Sequence, residues 1–171
     1  MLLLPWKHVL ILGTDNATHR LETEGFFNSI AWDQSGTSLI TTGAQFQVWD
    51  AATWTIQGEF YSGDQYEYSC LSPDGQLLAT AGASASIDVW KVDEGRRIAQ
   101  LTGHSGPVIR VEWSPNGRWL ASSSKDGSIR LWNVSEGYRS HVLQGAVRQP
   151  DTLSFSPDGA YLASWCIGLA N

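Results

Sequence analysis

The stretch Leu101–Trp132, LTGHSGPVIRVEWSPNGRWLASSSKDGSIRLW, decides how the whole chain is read. It opens on Gly103-His104, runs through an apolar alternation ending at Trp113 and turns at Ser114-Pro115-Asn116-Gly117. A strand of small residues holding Ser122 follows, then a turn at Asp126-Gly127 and a second alternation ending at Trp132. Alternation of period two marks strands with one buried face, and Pro-Asn-Gly and Asp-Gly between them mark tight turns. Elsewhere the chain repeats this unit. Trp90 lies 42 residues before Trp132, Trp49 lies 41 before Trp90, and the turns Ser72-Pro73-Asp74-Gly75 and Ser156-Pro157-Asp158-Gly159 each lie 42 from the central one. A fixed period in the low forties predicts a repeat architecture of short strands.

Composition narrows the function classes. The 171 residues suffice for one domain with a substantial core, and 42% hydrophobic against 16% charged residues is a globular balance, not a disordered one. The net charge of −6 and the lack of a basic run argue against a nucleic-acid or anionic-membrane surface, and make a protein or peptide partner the better expectation. Cys70 and Cys166 fall in different strand types of non-adjacent repeats, so they read as small buried hydrophobes and not as a disulfide. No spacing suggests a zinc site, a Walker loop, a nucleophile elbow or a dinucleotide fingerprint, so no cofactor is expected. Turns such as Asp93-Glu94 and Ser135-Glu136-Gly137 are explained by solvation without calcium. The N-terminal MLLLPWKHVLILG lacks a basic leader, is interrupted by Lys7-His8 and is too short to span a bilayer. It is therefore assigned to the fold, with a cytoplasmic location as the expectation.

The period, the four short strands per unit, the Gly-His pair and the pairs Trp49-Asp50, Trp90-Lys91 and Trp132-Asn133 together resemble the WD-repeat β-propeller family. The resemblance covers nearly the whole chain from Trp6 onward and implies an all-β fold of four-stranded antiparallel blades. On it, residues 6–21 supply the third and fourth strands of one blade, with Lys7–Leu21 set against Ile87–Leu101 and Leu10 at the Trp position. Residues 22–61, 62–101 and 102–143 are whole blades, and 144–171 give the first two strands of another. About four blades' worth is short of the family's usual ring, so a partial ring is expected. Such an arc belongs to a longer propeller chain, or pairs as a homodimer in which Lys7–Leu21 of each copy completes the blade begun by Thr152–Cys166 of the other.

Within the third whole blade, His104, Ser122, Asp126 and Trp132 include the residue types of a nucleophilic triad. The family resemblance implies instead a structural hydrogen-bond network at these positions. Other blades keep only part of it: Thr80 and Trp90 with Ser84 at the Asp position, Thr41 and Trp49 with the Asp lost, and Ser164 with Gly145-Ala146 in place of Gly-His. The third blade is therefore expected to be the most rigid. Trp49, Trp90 and Trp113 occupy apolar strand positions and read as core. Tyr61, Asp64, Tyr66, Lys125, Arg148 and Trp165 lie on or near the loops that enter inner strands and the turns from second to third strands, and form the candidate partner-binding set. These readings favour a non-enzymatic scaffold for protein or peptide interaction. Two alternatives stand beside it. A truncated fragment or assembly module of a larger propeller would have no function alone, and an enzyme using the propeller funnel would need converging acids, bases or metal ligands that the repeats do not show.

Overall fold

A computed structural model of the chain describes residues 8–13, 17–22, 27–33, 35–43, 45–61, 66–143 and 150–166. Its order is β1 (His8–Leu12), β2 (Thr18–Glu22), β3 (Phe27–Trp32), β4 (Ser38–Gly43), β5 (Gln45–Asp50), β6 (Ile56–Tyr61), β7 (Tyr66–Leu71) and β8 (Leu77–Gly82). It continues with β9 (Ile87–Lys91), β10 (Arg96–Leu101), β11 (Val108–Trp113), β12 (Trp119–Ser124), β13 (Ile129–Asn133), β14 (Arg139–Leu143), β15 (Pro150–Phe155) and β16 (Leu162–Cys166). The only helical turn among the described residues is a 3-10 turn, Val134–Glu136. The strands form three antiparallel four-stranded sheets, β3-β4-β5-β6, β7-β8-β9-β10 and β11-β12-β13-β14, flanked by two-stranded sheets β1-β2 and β15-β16. The fold is therefore an all-β arc of propeller blades. It does not close, because β1-β2 and β15-β16 remain separate sheets.

One turn chemistry sets the register of each blade. In Ser72-Pro73-Asp74-Gly75 the Gly75 amide donates to the Ser72 carbonyl at 2.8 Å, while the Ser72 hydroxyl accepts from the Leu77 amide at 2.9 Å. Ser114 and Ser156 repeat both bonds, with Gly117 and Trp119 and with Gly159 and Tyr161. In the first blade Asp33 replaces the serine, and its carboxylate accepts from the Ser38 amide at 2.9 Å. The turn glycines take φ near +70°, which a side chain would strain.

The inner strands β3, β7, β11 and β15 stand side by side along the arc. Between them, the core is built from blade-to-blade contacts. Ile40 and Phe46 of the first whole blade pack on Leu71, Leu78 and Trp90 of the second, with the Phe46 and Trp90 rings edge-on at 5.2 Å. Ala79, Ile87 and Leu101 of the second pack on Val111, Trp113, Leu120 and Trp132 of the third. Trp49, Trp90 and Trp113 are all buried, as their strand positions require. At one end, Leu21 packs on Leu39 and Trp49 just as Leu101 packs on Leu120 and Trp132. At the other, Leu153 packs on Ala121 and Ile129.

Two sequence expectations need correction or limits. Leu21 pairs with Val9 as Leu101 pairs with Ile87, so Val9 and not Lys7 matches Ile87, and the Trp position falls at Leu12 and not Leu10. From Val9 to Leu21 the hairpin is two residues shorter than from Ile87 to Leu101, so counting back from the buried Leu21 overshoots the pairing by two. Leu10 and Leu12 then lie on the face that a preceding blade would cover, and are 54% and 72% exposed. Cys70 is a free thiol, only partly buried as a residue, whose sulfur accepts from the Trp113 amide at 3.4 Å. Burial pushes that thiol up to about 11. The side chain of Cys166 lies outside the described residues.

Candidate functional site

The residues singled out in the third blade come together as a continuous relay. The Trp132 indole N–H donates to Ser122 Oγ at 2.9 Å, Ser122 Oγ lies 2.8 Å from His104 Nε2, and His104 Nδ1 lies 2.9 Å from Asp126 Oδ2. Only one proton arrangement satisfies every group. Indole is a donor only, so the Ser122 oxygen accepts from it and its own proton goes to Nε2, leaving Nδ1–H to donate to the carboxylate. Asp126 also accepts from the Ser105 amide at 2.8 Å, the Ser128 amide at 2.8 Å and the Ser128 hydroxyl at 2.7 Å. Nearby, the Ser124 hydroxyl donates to the Gly106 carbonyl at 2.8 Å and the Lys125 amide to the Pro107 carbonyl at 2.9 Å. These bonds tie the loop 102–107, which leads into the inner strand β11, to the turn 125–128 between β12 and β13.

Electrostatics follow from this enclosure. Burial lowers the His104 pKa below its ordinary value, against the pull of the Asp126 hydrogen bond and charge and with a further push from Arg130. Burial works the other way on Asp126, but the bonds from Ser128, Ser105 and His104 outweigh it and hold its carboxyl well below the usual carboxylate range. The relay at rest is thus a neutral imidazole beside a carboxylate.

The distances are those of a Ser-His-Asp triad, but the setting is not. Ser122 is fully buried, and its oxygen is already taken by the Trp132 indole. An electrophilic carbon has no approach to it in this conformation. The other blades shorten the relay. Trp90 donates to Thr80 Oγ1 at 2.9 Å and Trp49 to Thr41 Oγ1 at 3.1 Å, and there the side-chain chain stops. Ser84, at the Asp position, turns to the Ser86 carbonyl at 3.2 Å. Among the described residues, no group of three His, Cys, Asp or Glu side chains converges as metal ligands do.

The candidate partner-binding residues are less united. Lys125 is exposed in the turn that the relay anchors, and Trp165 is 61% exposed on β16. Tyr61 ends β6 and Tyr66 opens β7, with side chains outside the described residues, and Asp64 and Arg148 lie outside them altogether. One contact escaped the sequence reading: Arg110 lies over the Tyr68 ring at 4.4 Å, joining β11 to β7. The signal was available, because the two residues stand 42 apart and so occupy equivalent places on neighbouring inner strands.

Comparison with known proteins defines the class. The family model "WD domain, G-beta repeat" matches residues 54–91 and 95–133. The periodic tryptophan protein 2 homolog of Dictyostelium discoideum is 30% identical over 102 residues, covering 57% of this chain and 10% of that protein. The anaphase-promoting complex subunit cdc20 of the same organism is 29% identical over 92 residues, covering 52% of this chain and 18% of that protein. Autophagy-related protein 16 of Arabidopsis thaliana is 30% identical over 93 residues, covering 50% and 18%. The chain thus spans a fifth or less of the length of these relatives. The two family-model matches and these relatives support a WD-repeat family for the chain. Its repeats fit interaction roles in general.

Proposed function

We propose that the chain is a non-enzymatic platform for a protein or peptide partner, bound where the loop 102–107 meets the turn 125–128. The observation that carries this reading is the buried relay itself. It uses its reactive-looking groups internally and fixes two loops whose outer residues, Ser105 and Lys125 among them, face solvent. Preorganised loops lose little entropy on binding, which is how a rigid scaffold turns surface residues into affinity. His104, Ser122, Asp126 and Trp132 act as structure in this reading. One relative is named as a subunit of a complex, which agrees with a role in assembly. The test is crosslinking of a recovered partner with Lys125 and Trp165, then Tyr61, Asp64, Tyr66 and Arg148, changed in groups. Loss of the crosslink with the first group is expected, and unaltered recovery across all of them sinks this surface.

A second reading rests on the exposed Leu10 and Leu12 and on the complementary half sheets at the two ends of the arc. We infer that β1-β2 of one copy completes the blade begun by β15-β16 of another, covering apolar faces that water otherwise meets. Light scattering of the purified chain tests it. A dimer that is lost when residues 1–21 are deleted is expected, and a folded monomer at micromolar concentration overturns it.

A further inference from the structure

The turns from third to fourth strands share a backbone feature that keeps the sequence period. Five residues after each blade's tryptophan the chain is left-handed: Trp54 at φ 56° in the first whole blade, Gly95 at 59° in the second and Gly137 at 66° in the third, where the turn is one residue longer and Tyr138 is left-handed too, at 63°. For a bulky residue this conformation is strained, so something must offset it. In two blades the offset is packing. Trp54 packs on Leu21, Leu39 and Trp49 and stacks on the His19 ring at 4.9 Å, covering the groove between the β1-β2 hairpin and the first whole blade. Tyr138 packs on the cluster that joins the second and third blades.

The second blade has no aromatic residue in this turn, and the groove between it and the first whole blade is hollow. A cavity of about 470 Å³ opens between the first and second whole blades, lined by Ser38, Val48 and Gly58 on one side and Gln76, Lys91 and Val92 on the other. Its first-blade wall is also pared down. Ser38 pairs with Asp50 as Leu77 pairs with Lys91, and Gly58 pairs with Val48 as Ala99 pairs with Val89. At the next groove along, Leu77 and Ala99 are packed against the core beside Tyr138. Three fillers are therefore missing together: the aromatic ring, the leucine and the alanine methyl.

We propose that this cavity is a binding site for an aromatic side chain, tyrosine or tryptophan, presented by a protein partner. The proposal rests on the reading of the chain as a binding platform and adds a second site, among turns at the opposite end of the strands from the relay. The chain itself shows what fits, since its two equivalent grooves hold an indole and a phenol. Val48 and Val92 offer apolar walls to a ring, and Gln57, Gln76 and Asp93 offer polar groups to its hydroxyl or N–H, while the Lys91 ammonium is held by Glu94 and Asp93. A branched aliphatic side chain would leave much of the slot empty.

The test uses the whole chain labelled for NMR, titrated with N-acetyl-tyrosinamide, and with N-acetyl-leucinamide as control. Saturable shifts at Val48, Val92 and Gly58 are expected, at least several-fold weaker with the leucine probe. Gly95→Tyr supplies the ring from within, as Trp54 does, and should lose the shifts about tenfold while Tm rises by a few degrees. Gly58→Leu, where an added Cβ meets no atom within 4 Å, fills the slot without touching a left-handed residue and should also lose them. The proposal is overturned by absent shifts, by equal shifts with both probes, or by shifts that survive Gly58→Leu. Lys125→Ala should leave the titration unchanged. Failure here with intact dependence of partner crosslinking on Lys125 removes the cavity alone, and the reverse pattern removes the rim alone.

Discussion

The third whole blade and the second are built on one pattern yet are held together differently. In the third, four side chains from four segments share an unbroken relay from the Trp132 indole to the Asp126 carboxylate. In the second, the relay ends at Thr80, whose hydroxyl donates to the Asp88 backbone carbonyl at 3.4 Å, and the buried Asp88 carboxylate pairs with Arg97 at 3.3 Å on the neighbouring strand. The Trp–Ser/Thr contact is common to both, and the His and Asp are what differ. The core of a blade thus tolerates loss of the outer half of the relay. What it loses is the tie between the inner-strand loop and the second turn, so the difference falls on the rim and not on the sheet.

The largest effect should follow from Asp126→Ala. It strands the Ser105 and Ser128 amides and the His104 N–H, and unmade bonds to a charged group cost about 1.5–3 kcal/mol. A loss near about 3 kcal/mol in denaturant unfolding is expected, with no accompanying loss of a chemical activity. Ser84→Ala, at the same place in the second blade, should be nearly silent, because the exposed Ser84 hydroxyl bonds only within its own turn and the bond from the Val108 amide to the Ser84 carbonyl survives the substitution. Equal losses from the two substitutions would break the comparison.

A smaller contrast is expected one step inward. Ser122→Ala leaves both the Trp132 N–H and His104 Nε2 without their partner, whereas Thr80→Val strands the Trp90 N–H with closer retention of shape. Losses of about 2 and about 1 kcal/mol follow from the number of orphaned groups. Calorimetry or urea unfolding measures both, and a larger loss for Thr80→Val would mean that the second blade depends on its shorter relay more than geometry indicates.

The relay was legible in the sequence because its spacing is set by strands and turns of fixed length, and such lengths survive the repeat. Asp126 and Ser122 stand four apart across the end of β12, and the family resemblance supplied the expectation that His104 joins them. The half sheets were legible for the same reason. The filling of two grooves by Trp54 and Tyr138, and the hollow between the first and second whole blades, were not, because they depend on which side chain each turn carries and on a third-blade turn one residue longer than the second's. Turn length varies between blades, so alignment on tryptophan separates residues that geometry makes equivalent. The N-terminal register was misread in the same way: Leu10 was set against Trp90 by counting, while the buried Leu21 opposite Val9 is what aligns the hairpin.

The subtlest contrast between the blades should appear on acidification. His104 is held neutral by burial, so its pKa in the folded chain lies below the ordinary 6.5, and the unfolded chain binds the proton more readily. Stability contributed in this way is intact above about pH 6.5 and declines below it, with a slope of at most one proton, about 1.4 kcal/mol per pH unit. Protonation at Nε2 would also set a second donor against Ser122 Oγ, which already accepts from Trp132. Asp126 adds a separate decline only below about pH 3.8, its ordinary value, where the unfolded carboxylate takes up protons and the folded one still refuses them. Hydrogen exchange locates the first step, because the Ser105 and Ser128 amides are bonded to Asp126 and open when the relay breaks. Between pH 7 and pH 5 their protection should fall more than that of β8 and β9 in the second blade, whose relay has no histidine. In His104→Asn the baseline stability should be lower and this step should vanish, and an unchanged slope in that variant would show that the pH response originates elsewhere in the arc.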